Sequence, residues 1–290
     1  MTYRWTAERW ADALAFAPVL ERPFVSIGSR LSMWPGVGRF YRSVAYRFAE
    51  RLRRAGTPYR PVVVEGARMT VDITEFTAFG LYFTGRRYEP RTTDYLIASL
   101  RPGDTFVDVG ASHGYFTLIA ASRVGASGRV YAFEPNPPVF RQLAAHVRLN
   151  RFDGRVRVAD AALSDADGAA ALFVSQCALN SGLSSLQRPE HHVDGALSPD
   201  RAVPVRTETF DHWYERAKPG RIAVMKIDVE GAEGRVLDGM AAALRSGAIA
   251  AIVCETDWNS GVRDRLAACG YTARLLEPSA GLPNLVFERP

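Results

Sequence analysis

One stretch, Thr105-Phe-Val-Asp-Val-Gly-Ala-Ser-His-Gly-Tyr-Phe-Thr117, limits the folding options of this chain more than any other. Phe106–Val109 reads as a buried strand carrying one acid, Asp108. It runs into Gly110, and Gly114 follows where an apolar helical segment begins. Strand, glycine turn and helix in that order open a parallel sheet, because the helix must carry the chain back across one face before the next strand can start. The glycines are spaced D-x-G-x-x-x-G. A dinucleotide fingerprint needs G-x-G-x-x-G to bring a pyrophosphate onto the helix N-terminus, so a nicotinamide-dependent dehydrogenase is disfavoured.

The same alternation continues downstream. Helices are expected at Tyr115–Arg123, Pro137–Asn150, Ala232–Leu244 and Arg263–Cys269, and strands at Arg129–Phe133, Val156–Ala159, Ile222–Ile227 and Ile249–Cys254. Tyr271–Leu276 and Asn284–Glu288 read as two closing strands. The pattern predicts an α/β fold: a doubly wound, Rossmann-like sheet, mostly parallel, with an antiparallel strand near its C-terminal edge. Ala169–Val174 and Val203–Thr209 look like extra strands around a long polar segment, 176–202. Loops of that length inside a compact domain are usually functional or mobile. Residues 1–55 show helical spacing broken at Pro18, Pro23 and Pro35, and Pro61–Glu65 with Arg68–Ile73 reads as a hairpin around Gly66. The expected organisation is a helical and hairpin extension over residues 1–87, covering substrate or contacting a second copy, followed by a ligand-binding domain over 88–290.

Charge is unevenly placed. Of 36 basic side chains all but Lys218 and Lys226 are arginine, and residues 1–60 hold 11 Arg against 4 acids. Such a leader is a solvated helical face or a surface for an anionic partner. A lysine inside a buried-looking strand, as Lys226 is, calls for a partner. Cys177, Cys254 and Cys269 have no paired spacing, which argues against disulfides and a structural zinc and for a reducing, cytoplasmic setting. No apolar run approaches the ~20 residues of a membrane span, and no secretory signal is visible at the N-terminus.

Ligands of open parallel sheets sit beyond the carboxyl ends of the strands. Asp108, Glu134, Asp160 and Asp228 lie at or near four such ends. An acid after a strand is often only a helix cap, but four on consecutive strands point to one ligand. Asp108 beside the glycine turn suits a cationic amine without phosphates, and S-adenosylmethionine has that amine. Glu134 can accept from ribose hydroxyls, Asp160 with Ala161 and Ala162 can frame an adenine, and Gly110 and Gly114 let backbone approach the methionine part.

At these residues the chain resembles the FkbM family of S-adenosylmethionine-dependent methyltransferases. The matching strings are Asp108-Val-Gly-Ala-Ser-His-Gly-Tyr-Phe-Thr117, Ala132-Phe-Glu-Pro-Asn136, Asp160-Ala-Ala-Leu163, Asn180-Ser-Gly-Leu-Ser-Ser-Leu186 and Lys226-Ile-Asp-Val-Glu-Gly-Ala-Glu233, the last being the most specific. The likeness covers roughly residues 88–240. It implies methyl transfer to hydroxyl oxygens of sugars and secondary metabolites. Carried over position by position, it implies cofactor contacts from Asp108, Gly110, Ala111, Ser112, Gly114, Tyr115, Phe116, Glu134, Pro135, Asn136, Asp160, Ala161 and Ala162. Ser112 stands where the family more often has Asn, so a contact there would pass through water. Asn180, Ser181, Ser184, His191 and Glu233 are expected around a small-molecule hydroxyl acceptor. Asp228 is expected as general base, with Lys226 on the same strand face and Glu230 in the following turn.

Other readings stay open at this level. Lys226–Glu233 could be a purely structural ion pair, and His191, His192 and His113 could be loop residues or bases. Asp228 with Glu255 would be a thin site for a divalent metal. Methylation of nitrogen, RNA or protein is a second enzyme class, although no nucleic-acid module is visible. A non-catalytic scaffold that binds the cofactor is a third. Trp5, Trp10 and Trp34 give the leader an apolar side on which a homodimer could form.

Overall fold

The computed structural model describes residues 2–16, 18–32, 34–175, 184–186, 197–279 and 281–289. The chain forms two compact units with their main sequence boundary between Tyr88 and Glu89. The first contains helices α1 (Thr2–Phe16), α2 (Glu21–Leu31) and α3 (Pro35–Arg54), then strands β1 (Tyr59–Val64) and β2 (Ala67–Asp72) and the short helix α4 (Phe76–Phe79). Pro35 begins α3, where its missing N–H costs nothing. Tyr41, Val44, Ala45 and Phe48 give α3 a buried stripe at helical spacing. Arg51 and Asp12 join α3 to α1 at 2.6 Å. Between β1 and β2, Glu65 and Gly66 both have positive φ, the turn that matches strand twist in a two-residue hairpin.

The second unit starts with α5 (Pro90–Ser99) and alternates strictly: β3 (Thr105–Val109), α6 (Tyr115–Val124), β4 (Arg129–Phe133), α7 (Pro137–Leu149) and β5 (Val156–Ala159). A small sheet follows from β6 (Ala161–Leu163), β7 (Gly168–Ser175) and β8 (Leu197–Glu208), and then α8 (Phe210–Ala217). The alternation resumes with β9 (Ile222–Ile227), α9 (Glu233–Asp238), α10 (Ala241–Ser246), β10 (Ile249–Glu255) and α11 (Gly261–Ala268), and closes with β11 (Thr272–Glu277) and β12 (Asn284–Glu288).

The main sheet has seven strands in the order β11-β12-β10-β9-β3-β4-β5. β12 runs antiparallel to both β10 and β11, and the pairings from β10 through β9, β3 and β4 to β5 are parallel. The expected doubly wound α/β sheet with its antiparallel strand near the C-terminal edge is therefore present. Every residue of β3 is buried, and β9 and β10 are nearly as dry, as strands covered on both faces must be. Order reverses between β3 and β9, each of which begins one outward run of strands, so the crevice for a ligand opens at their carboxyl ends.

Three local features depart from or add to the sequence reading. Ala232–Leu244 is not one helix: it breaks at Gly239, whose Cα sits so close to Ser164 that a Cβ would lie 1.9 Å from that carbonyl oxygen. The Asp211 carboxylate then starts α10 by accepting the N–H groups of Ala242 and Ala243 at 2.8 Å. Phe210–Ala217, not anticipated, is a helix begun by Thr209, whose hydroxyl accepts from the His212 N–H. Finally, Asp160 does not simply end a strand into a loop: Ala161 starts β6 at once, which pairs with β8 in the second sheet.

Candidate active site

The turn between β3 and α6 is built around two glycines. Gly110 has φ +81° and Gly114 +91°, conformations that side chains rarely adopt. A Cβ on Gly110 would lie 1.8 Å from the Asp228 carbonyl oxygen, and one on Gly114 2.4 Å from Leu143. Glycine at 110 thus lets the turn of β3 lie directly on the end of β9. The N–H groups of Gly110 and Ala111 both donate to the Phe133 carbonyl, tying the turn to β4. Ser112, also at positive φ, presents its N–H to Glu134.

Glu134 is buried, and its two oxygens divide the local donors: one accepts the Ser112 N–H at 2.8 Å, the other the Asn136 N–H at 2.8 Å. Burial pushes its carboxyl up to about 7, against the pull of these two bonds. Each oxygen keeps lone-pair capacity on the cleft side, where a vicinal diol can donate to it.

A cleft opens at these strand ends, where ligands of open parallel sheets sit. Gly110, Ser112, Glu134 and Pro135 form one rim; Ala161, Ala162, Leu163, Leu172 and Leu186 form an apolar wall; Ser184, Asp228, Val229 and Glu230 close the far side. An apolar lining that includes two small alanines suits a flat heterocycle, and the Glu134 carboxylate suits a sugar.

At the β9 end the side chains are charged and dry. Lys226 is 2% exposed and its ammonium donates to Asp228 at 2.6 Å. The register places Lys226 beside Asp108 on β3, and its Nζ lies 4.7 Å from the centre of the Phe116 ring, a cation–π contact. Burial works against the ammonium, but the carboxylates of Asp228, Glu89 and Asp108 outweigh it and raise its pKa. Burial acts to raise the Asp228 carboxyl too; there Lys226 and a hydrogen bond from Glu255 prevail and hold it low. Glu255, at the end of β10, is pushed up to about 10 by burial and by the Asp228 charge, so it is the proton donor in that bond. Asp108 rises to about 6 through burial, opposed by Lys226 and by the Thr117 hydroxyl that donates to it at 2.5 Å.

The structure sorts the expected site residues into groups. Gly110, Ser112, Glu134, Pro135, Ala161, Ala162, Ser184, Asp228 and Glu230 line the cleft. Asp108, Ala111, Tyr115, Phe116, Asn136 and Lys226 are buried and are not part of its lining. Asp108 therefore faces Thr117 and Lys226, not the rim, because its side chain lies on a strand interior. Gly114 caps α6 against Leu143. Asp160 is apart: its side chain is 72% exposed and 3.7 Å from Arg206, since the turn into β6 points it outward. Glu233 folds back on its own turn, accepting the N–H groups of Gly231 and Val229 at 3.0 and 3.3 Å, which makes it a brace for the loop carrying Glu230. Asn180, Ser181 and His191 lie outside the described residues. Of the apolar wall, Ala161 and Ala162 were expected; its leucines and Glu89 went unforeseen, and a glutamate directly before Pro90, the first residue of α5, was the available signal for Glu89.

Asp228, Glu230 and Glu255 offer carboxylate oxygens within 4.8 Å of one another. A hard dication takes about six oxygens. These three groups supply one oxygen each, half of that number, and the Asp228 carboxylate is already ion-paired with Lys226.

A doubly wound sheet with a carboxylate-edged cleft at its switch point defines the class: an open α/β protein whose candidate site lies beyond the strand ends. The family model named Methyltransferase FkbM domain matches residues 108–273. The chain belongs to the FkbM methyltransferase family. It is 35% identical over 162 residues to the 31-O-demethyl-FK506 methyltransferase FkbM of Streptomyces tacrolimicus, covering 49% of this chain and 61% of that protein. It is 30% identical over 151 residues to the hexuronic acid methyltransferase AglP of Haloferax volcanii, covering 52% of this chain and 56% of that one. In both cases the match spans less than two thirds of the relative's own length. A solved methyltransferase FkbM from Methylobacillus flagellatus KT aligns at 14% identity and TM-score 0.45, over 86% of this chain and 60% of that one.

Proposed function

We propose that this chain is an S-adenosylmethionine-dependent methyltransferase acting on a hydroxyl of a sugar or secondary-metabolite acceptor. Bound in the cleft, the cofactor would supply a sulfonium-activated methyl group. Glu134 would accept from the ribose hydroxyls, Ala161 and Ala162 with the leucine wall would enclose the adenine, and the Gly110–Ser112 backbone would lie along the methionine part. The fit rests on the missing Cβ at Gly110 and on the unused lone pairs of Glu134.

The observation that carries the reading is the Lys226–Asp228 pair at the cleft edge. A hydroxyl oxygen becomes strongly acidic as it gains an alkyl group, so even a low-pKa carboxylate can take its proton at that moment. Lys226 keeps Asp228 ionised and therefore acceptor-only. It also fixes the carboxylate by a charge-assisted bond, while Glu255 donates to it from the next strand. Asp228 would thus orient the acceptor hydroxyl and receive its proton; exclusion of water by the apolar wall would protect the alignment. The names of the two relatives support an oxygen acceptor.

Calorimetric titration with S-adenosylhomocysteine, followed by methyl transfer to a panel of sugar and polyketide hydroxyls, tests this. Saturable binding that Glu134→Ala weakens, and turnover that Asp228→Asn abolishes, are expected. Binding without any transfer, unchanged by Asp228→Asn, would leave a cofactor-holding scaffold instead.

A further inference from the structure

The arginine-rich leader contains a surface that the methyl-transfer reading does not use. Between Asp12 and Glu50 the sequence has five arginines and a single acid, Glu21. Glu21 is not available to solvent chemistry. It is 8% exposed, and its oxygens are taken by Arg60 at 2.5 and 3.0 Å and by the Tyr82 hydroxyl at 2.5 Å. The exposed charge of this stretch is therefore wholly positive among the described residues. Alongside it lie large apolar side chains in water: Leu20, Ile27, Leu31 and Trp34, at steps of seven, four and three residues, with Val37 beyond. By spacing Leu20, Ile27 and Leu31 share one face of α2 and its N-cap, while Trp34 caps α3 and Val37 lies in its first turn. Ile27 is 59% exposed and Trp34 67%.

The stripe is rigidly presented. On the adjacent face of α2, Gly28 is pressed against the Tyr41 ring so closely that a Cβ would lie 1.8 Å from it. At the corner the Trp34 N–H donates to Leu31 and the Gly38 N–H to Trp34, at 3.1 and 2.6 Å. Gly38 leaves no room for a Cβ beside the Ser32 carbonyl, which also accepts from Arg42 at 3.2 Å. Trp34 thus stands at the apex of a tight helical corner with Arg42 next to it.

We propose that this corner docks the protein onto an anionic phospholipid bilayer. An apolar stripe flanked by arginines and tipped by tryptophan matches the interfacial layer: the stripe enters the acyl boundary, arginine stems run along it with their heads at phosphates, and indole prefers the headgroup level. No helix among the described residues is long and apolar enough to cross a membrane, so the attachment is peripheral. A second copy of the chain is a poorer occupant, because a self-complementary contact would bring Arg22, Arg30 and Arg39 toward their own counterparts, with no exposed acid between Asp12 and Glu50 in the sequence to separate them.

Flotation of the full chain with vesicles of phosphatidylcholine, with and without phosphatidylglycerol, decides it. Co-flotation only with the anionic vesicles, falling as salt rises, is expected. Ile27→Ser with Trp34→Ser should abolish it. Arg30→Gln with Arg39→Gln should weaken partition by roughly fivefold per arginine and flatten its salt dependence. Because the arginine pair is exposed, it tests the idea even if the serine variants melt early. No flotation, or equal flotation with neutral vesicles, overturns the proposal. So does a dimer in sedimentation that Trp34→Ser dissolves while vesicles stay unbound.

Discussion

Asp228 and Asp160 each follow the last residue of a parallel strand, and in the sequence they look equivalent. In the fold they are opposites. Asp228 closes β9, which has β3 and β10 on either side; its side chain is 17% exposed and ion-paired at 2.6 Å. Asp160 closes β5, the edge strand, and its side chain is 72% exposed and 3.7 Å from Arg206, itself half exposed. A strand-end acid acquires a demanding environment only when neighbouring strand ends crowd it from both sides. That is where low dielectric makes a charge consequential; at an edge, water screens it.

Mutations can break this contrast. Asp228→Ala should lower turnover by about 10²–10⁴-fold, the range for losing a positioned base, with cofactor affinity changed far less; steady-state kinetics with calorimetry would separate the two. Lys226→Met leaves Asp108 and Asp228 with no cation between them, and should cost ~3–5 kcal/mol of stability in urea denaturation. Glu134→Ala should weaken S-adenosylhomocysteine binding by ~1–3 kcal/mol. Because burial raises Glu134 to about 7, its ionised form disappears as pH falls through that value. Affinity in the parent should therefore drop on acidification, and Glu134→Gln should remove that dependence. Smallest of all, Asp160→Ala should shift stability and affinity by less than about 0.5 kcal/mol, as exposed pairs do. A larger loss at Asp160 would mean that a ligand draws the edge strand into the site.

The central sheet was legible because its strands are dry on both faces. Arg129–Phe133, Val156–Ala159, Ile222–Ile227 and Asn284–Glu288 are found with the bounds their apolar runs imply. Departures came where a distant atom decides local structure. Nothing near Gly239 reveals that the Ser164 carbonyl will occupy the place of its Cβ. Nothing near Ala161 reveals that β8 will pair with it. The Lys226–Asp228 juxtaposition was readable, since residues two apart on a strand share a face. The inward turn of Asp108 and the backward turn of Glu233 were not, because both depend on which partner supplies a donor.

The fit of Gly110 against the Asp228 carbonyl has a practical corollary. Under the proposed methyl transfer, the floor beneath the donor and the floor beneath the recipient are mechanically one piece, with less than a methyl group of slack between them. Retargeting such a catalyst by adjusting that floor would misalign both halves together. New specificity should be sought in the walls above it, and the seam itself left untouched.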